Sequence, residues 1–533
     1  MHRRHARSAI AMLATLWIAN TALAAQPADL DARVEAALKE HGVPGLAIAI
    51  VEDGKPVLAK GYGVRKLGAP ERVDADTIFP TGSTGKAVTA AALAVLVDDG
   101  KLKWDDKVID HMPWFRMYDP WVTNEMTVRD LLVHRSGLGL GAGDLMFVPS
   151  SSRSRRDTVQ ALRYIKPATS FRSGYAYDNV MYSVAGQLIE EVSGKRWEDF
   201  VRERVFKPAG MTSSVTEQSA RFANPNRVWP HARLGGRVRG MGEQGVLDER
   251  KTLGDNAAPA GGISSSANDM AHWLQVQLGK GTWTNDAGAP VKVFSEAQSK
   301  QMWTPAVLTP TAKYPGKIAD YSPQFSSYAL GWSVRDYRGV KTIEHGGAVF
   351  GVQAYVAMIP EKNIGIAVLM NAEDFQVMRG IAVELLDHYL GAPKKDWVAA
   401  FDEFTDTRMQ GGVAALDEAA KTRVKAAGGK PTLPVANYAG RYSDVWYGPV
   451  DIKNDKGGLR IDFTKTPGMV GRLEHVQYDT FRAVWDDSNI EPALVTFGLG
   501  AEGTVDRVTM KAESPIADFS FDYQDLLFTP VAN

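Results

Sequence analysis

Ser83 and Lys86 stand three residues apart in FPTGSTGKAVTAAALAVLV, Phe79 to Val97. A helix starting there sets the hydroxyl and the ammonium on one face. From Ala87 to Val97 every position except Thr89 is apolar, and a helix that is hydrophobic all round belongs in an interior. Burial destabilises an ammonium and moves its pKa towards neutrality. The start of a helix also offers free N–H groups and partial positive charge. A hydroxyl, a nearby base and donors for an oxyanion are what nucleophilic acyl transfer needs. S-x-x-K recurs among serine acyl-transfer enzymes, with the lysine's part as base in dispute. Taken alone, the same four residues also describe a serine near a helix cap and a solvated lysine.

Two further groups of residues complete such a site. Tyr177-Asp178-Asn179 is the only Y-x-N in the chain and precedes a helical stretch from Val180. A phenol there can accept or relay the serine proton, and an amide can hold a substrate carbonyl. His345-Gly346-Gly347 is the only H-x-G. It precedes a strand-like run, and its glycines allow a ligand to approach the backbone closely. Ser266-Ala267-Asn268 reads instead as the cap of the helix that follows. Arg153, Arg155 and Arg156 read as a solvent-exposed helix start, and His134 as a structural hydrogen-bonding residue.

These residues need elements to carry them. Gly45 to Gly63 reads as two strands around an Asp53-Gly54 turn. Helices are expected from Thr84, from Thr127 with Asp130 in a capping box, and over Val180 to Gly194. Gly351 to Asn371 reads as a second hairpin turning at Pro360 to Asn363. Strands at both ends with helices between them predict an α+β domain whose terminal strands share one sheet. Val413 to Pro434 reads as a connecting helix with a Gly-Gly and Pro-rich end. After it, short alternating segments between Gly- and Asp-rich turns predict an all-β sandwich or barrel. The division is 1–24 signal peptide, 25–398 catalytic domain, 399–433 linker helix and 434–533 β-domain.

The signal is read from Arg3, Arg4 and Arg7, the apolar stretch Ala9 to Ile18, and the small-x-small Ala22-Leu23-Ala24. It places the protein in the periplasm or outside the cell, without stable membrane insertion. The chain has 61 basic and 62 acidic residues and no cysteine. Losing the signal leaves a net charge near about −4, which gives no electrostatic case for nucleic acid. The expected partner is a small-molecule or peptide substrate. No metal-ligand cluster and no cofactor motif is read, and oligomeric state is left open.

With the three motifs in the order Ser-x-x-Lys, Tyr-x-Asn, His-x-Gly, the chain resembles the penicillin-recognising serine hydrolases. That group includes class C β-lactamases, D-aminopeptidases, DD-carboxypeptidases and related esterases. TVRDLLVHRSGL (Thr127 to Leu138), APAGGISSSANDMAHWL (Ala258 to Leu274) and YALGW (Tyr328 to Trp332) add to the likeness. The last hundred residues resemble the lipocalin-like module appended to many of them. The resemblance implies a β-lactamase/transpeptidase-like fold followed by a barrel. It also implies that Ser83 is the acylated nucleophile, Lys86 its proton partner and Tyr177 the general base. Asn179 would orient the substrate amide, and the N–H groups of Ser83 and Ala348 would form the oxyanion hole. His345, Gly346 and Gly347 would line the substrate site where β-lactamases usually carry a lysine and a hydroxyl residue. A histidine there titrates near neutral pH, so weak, pH-dependent carboxylate binding is expected. The implied activity is hydrolysis of an ester or of a D-amino-acid peptide through an acyl-enzyme. A β-lactamase or DD-carboxypeptidase, and a silent muropeptide-binding homologue, are the alternatives. Substrate choice would lie in the loops Leu140 to Ser173 and Asn224 to Ala260.

Overall fold

A computed structural model describes residues 26–531 other than 286, 426–428 and 456–457. The signal-peptide reading of 1–24 lies outside the described residues. Eight antiparallel strands form the main sheet: β1 (Gly45–Glu52), β2 (Lys55–Gly63), β3 (Val307–Leu308), β4 (Ser326–Tyr328), β5 (Ser333–Tyr337), β6 (Val340–Val349), β7 (Val352–Ile359) and β8 (Ile364–Met370). Their order across the sheet is β2-β1-β8-β7-β6-β5-β4-β3. The longer helices are α1 (Leu30–His41), α2 (Lys86–Asp98), α3 (Val180–Ser193), α4 (Ala267–Leu278), α5 (Phe375–Leu390) and α6 (Trp397–Lys425).

The sequence around β1 explains its central place. GLAIAIV alternates large and small apolar residues, and every residue of the strand is buried. Leu46, Ile48 and Ile50 join Val34 and Leu38 of α1 and Ile381 and Leu385 of α5 in one core. Ala47 and Ala49 face the other way, where Ala271 and Leu274 of α4 and the apolar face of α2 pack. The first and last parts of the domain meet where β1 pairs β8, with Ala47 opposite Leu369 and Ile48 opposite Val368. The shared sheet expected from the sequence is therefore present. The Asp53-Gly54 turn has both residues at positive φ, the conformation that a two-residue hairpin with native twist requires.

Two expectations need correction. The helix expected from Thr127 is only the 3-10 turn Arg129–Leu132. Thr127 and Asp130 do exchange cap hydrogen bonds. His134, however, adopts φ +58°, and a left-handed residue ends a helix. Arg155 does start a helix, Arg155–Ala161, but it is buried rather than solvated. It reaches Glu190 and Glu198 at 2.5 Å each.

Beyond α6 lie β9 (Gly440–Asp444), β10 (Gly448–Asp455), β11 (Gly458–Phe463), β12 (Val470–Gln477), β13 (Thr480–Trp485), β14 (Ala493–Leu499), β15 (Val505–Ala512) and β16 (Leu527–Pro530). They pair in sequence order, and β16 returns to β9, closing a barrel. Tyr447, Phe463 and Phe528 meet edge to face inside it. Among the described residues no helix is long and apolar enough to cross a membrane.

Candidate active site

Ser83 lies in the 3-10 turn Gly82–Gly85, which runs directly into α2. Two glycines explain how this turn meets β6. Gly82 sits at φ +52°, and a Cβ on it would stand 2.5 Å from the amide nitrogen of Ala348. A Cβ on Gly347 would stand 2.0 Å from the carbonyl oxygen of Thr81 and 3.0 Å from the nitrogen of Ser83. The turn and the strand thus touch backbone to backbone beside Ser83 and Ala348. The sequence suggested that Gly346 and Gly347 admit a ligand. Gly347 instead admits the Ser83 turn. A Cβ on Gly346 would meet nothing closer than Arg379 at 3.5 Å.

Lys86 is fully buried, as the apolar run predicted. Its Nζ has three oxygen partners: Ser83 Oγ at 2.9 Å, Asn179 Oδ1 at 2.7 Å and the Ala260 carbonyl at 2.9 Å. Among the described residues no carboxylate pairs with it. Burial pushes Lys86 down to about 7, outweighing the upward pull of Asp144 and Asp178 nearby. Two of the three partners are carbonyl oxygens, which only accept. Ser83 alone has a proton to give. As an ammonium Lys86 donates to all three oxygens; as the neutral amine it keeps its donations to Asn179 and Ala260 and turns its lone pair to the Ser83 hydroxyl.

Asn179 precedes α3 and has both ends of its amide on protein partners. Its Oδ1 receives Lys86, and its Nδ2 donates to Asp144 Oδ2 at 2.8 Å. Tyr177 lies in the preceding loop, with Lys86 Nζ 4.8 Å from its ring centre. Burial pushes the Tyr177 phenol far above its ordinary value, and interaction with Ser83 offsets only part of that. The His134 ring lies against Tyr177, tilted by 31°, with ring centres 4.1 Å apart. It is held 3.0 Å from Asp178, which also receives the Ser136 hydroxyl.

His345 differs from the sequence expectation. It is only 6 % exposed, and both ring nitrogens are engaged. Nδ1 lies 2.5 Å from the Gly346 carbonyl, and Nε2 lies 2.7 Å from the Tyr328 hydroxyl. Since a carbonyl only accepts, Nδ1 carries the proton and Nε2 accepts from Tyr328. Burial, with Lys86 close by, pushes His345 down to about 3. The ring is therefore neutral at physiological pH, and no charge change at neutrality accompanies it.

Several residues at the site went unread in the sequence. Tyr328 lies within a stretch already singled out, but nothing marked its hydroxyl. Asp144 belongs to no motif. Ser520 and Phe519 come from the barrel domain, where Ser520 Oγ donates to Asp144 Oδ2 at 2.8 Å. The Phe519 ring meets Tyr177 edge to face at 5.9 Å.

Residues 30–389 match the model of the Beta-lactamase family. The chain belongs to that family. Residues 424–530 match a domain of unknown function, DUF3471. An unguisins hydrolase of Aspergillus campestris is 30 % identical, covering 82 % of this chain and 80 % of its own length. Penicillin-binding protein 4 of Amycolatopsis lactamdurans is 29 % identical over 64 % of this chain and 84 % of its own. In fold, the octameric penicillin-binding protein homologue from Pyrococcus abyssi aligns at TM-score 0.55, with 21 % identity, over 94 % of this chain and 99 % of its own. A class C beta-lactamase aligns at TM-score 0.52, with 19 % identity, over 69 % of this chain and 96 % of its own. This Beta-lactamase family member is a serine hydrolase with a β-lactamase/transpeptidase-like fold and a closed eight-stranded barrel behind it.

Proposed function

We propose that the protein hydrolyses an ester or an amide through an acyl-enzyme on Ser83, in the periplasm or outside the cell. The observation that carries this reading is the set of partners around Lys86: two obligate acceptors and one hydroxyl. In the first step the Lys86 amine takes the proton of Ser83 as Oγ attacks the substrate carbonyl. The oxyanion is taken up by the backbone amides of Ser83 and Ala348, and such donors stabilise the charge as it develops. The proton then passes from Lys86 to the leaving group through the hydroxyl of Tyr177. Tyr177 is held protonated by burial, so it serves as a relay, and the base is Lys86. Water repeats the sequence on the acyl-enzyme, and Ser83 regains its proton from Lys86.

The substrate leans towards esters and D-peptides. The neutral His345 supplies no permanent cation for a carboxylate, which argues against the carboxylate grip expected of a β-lactamase or DD-carboxypeptidase at this position. The relative named as an unguisins hydrolase supports hydrolysis over silent binding. Arg3, Arg4, Arg7 and the apolar run after them support export.

Intact-protein mass after a fluorophosphonate, and separately after a nitrophenyl ester, tests the reading. One adduct on the wild type and none on Ser83→Ala is expected, with ester turnover lower by at least about a thousandfold in the variant. No adduct and no turnover in the wild type, or an adduct that persists in the variant, overturns it.

A further inference from the structure

The barrel domain does more than sit beside the catalytic domain. Its segment between β15 and β16, residues 513–526, packs against the catalytic domain at Gly141 to Leu145, Tyr177 and Phe350. Asp522 accepts the amides of Gly143 at 2.6 Å and Leu145 at 3.0 Å. It thereby grips the 3-10 turn Asp144–Met146 from both sides of Asp144. Ser520 donates to the Asp144 carboxylate. Phe521 stacks on Phe350, just past the end of β6, with ring centres 5.6 Å apart. A Cβ on Gly141 would stand 2.5 Å from the Phe519 carbonyl, so the two backbones are in contact.

From Ser520 a chain of polar contacts runs to the nucleophile. Ser520 Oγ donates to Asp144 Oδ2, which accepts Asn179 Nδ2. Asn179 Oδ1 faces Lys86 Nζ, which faces Ser83 Oγ. The Asn179 amide has two opposite faces. Only with its nitrogen on Asp144 does its oxygen point at Lys86. Were the amide reversed, an N–H would meet the Lys86 amine, and the lone pair aimed at Ser83 would be lost to it. Asp144 therefore decides which way Asn179 points.

We propose that Asp144 is a positioning residue for the reaction, acting through Asn179, and that Ser520 of the barrel domain completes the active site by holding Asp144. The barrel is thus a part of the catalytic apparatus rather than a cover. Asp144 and Asp522 are both fully buried, and burial pushes both carboxyls up. A pair of acids is costly to bury without a use. This agrees with a constraint kept for the site.

This inference rests on Ser83 being the nucleophile. The test uses the full-length chain and follows the rate of Ser83 labelling by a fluorophosphonate, divided by the fraction of protein that labels at completion. That division removes molecules that have failed to fold. Asp144→Ala is expected to label about a hundredfold more slowly per competent site, the scale of a small misplacement at a reacting group. Asp144→Asn keeps an acceptor for Asn179 and is expected within about tenfold of the wild type. Ser520→Ala loses one hydrogen bond to a carboxyl and is expected to slow labelling by about three- to tenfold. Ester KM should stay within about twofold in all three while kcat falls. Equal normalised rates in wild type, Asp144→Ala and Ser520→Ala overturn the proposal. So does an Asp144→Asn variant no faster than Asp144→Ala. A wild type that shows no adduct on Ser83 overturns both this inference and the reading beneath it.

Discussion

Lys86 and Arg155 are two buried cations that open two different helices, and the molecule treats them in opposite ways. Each sits at the first helical residue, where the helix dipole disfavours positive charge. Arg155 is answered by charge. Glu190 and Glu198 each approach it at 2.5 Å, and the Asp255 carbonyl adds a contact at 3.3 Å. Among the described residues Lys86 is answered only by neutral oxygens, and its pKa falls to about 7. A cation kept for structure is given carboxylates. A cation kept for chemistry is denied them, so that it can exist as an amine near neutral pH.

That contrast can be broken from either side. At Arg155, Glu198→Ala removes one of two carboxylates and leaves buried positive charge under-compensated. Stability should fall by about 3–5 kcal/mol, read from the denaturant midpoint. The pH dependence of the remaining activity should be unchanged.

At Lys86, Lys86→Met should do the reverse, abolishing activity while raising stability by about 1–4 kcal/mol at pH 6. The sign follows from the shift. The folded-state pKa of about 7 lies below the ordinary lysine value of 10.5. The unfolded chain therefore binds the proton more readily between those values, and wild-type stability rises with pH across that window. The advantage of the variant should be full below pH 7, shrink from 7 to about 10.5, and vanish above it. Melting curves at pH 6 and 9 check this.

The third change turns one site into the other. Asn179→Asp sets a carboxylate against Lys86, as Glu198 is set against Arg155. The lysine pKa should rise by about one to two units. The acid limb of the rate profile should move up with it, and a limb left in place would undo the comparison.

Much of this was legible in the sequence, and the limits have physical causes. Ser83 and Lys86 could be paired because helical spacing alone joins them. The burial of Lys86 could be read because an unbroken apolar run leaves no polar face. Tyr177, Asn179 and His345 could be found because each belongs to a short pattern that occurs once. The protonation state of His345 could not be read, since it depends on Tyr328 from a neighbouring strand and on the closeness of Lys86. Asp144 and Ser520 lie 376 residues apart, and no local pattern marks a contact made by docking two domains. The burial of Arg155 escaped because its carboxylates come from α3 and the segment after it, 35 and 43 residues away within the same domain. The helix expected from Thr127 failed at a backbone angle, a property that residue types alone do not carry.

Acylation of Ser83 requires Lys86 to be a neutral amine when it meets the hydroxyl. The most direct test is the rate of single-turnover acylation of Ser83 by a fluorophosphonate, followed by intact mass from pH 5 to 9. The rate should rise with pH, reach half its plateau near 7, and follow the fraction of neutral amine. A rate that is flat from pH 5 to 9, or that still climbs steeply at pH 9 as an ordinary lysine would demand, contradicts it.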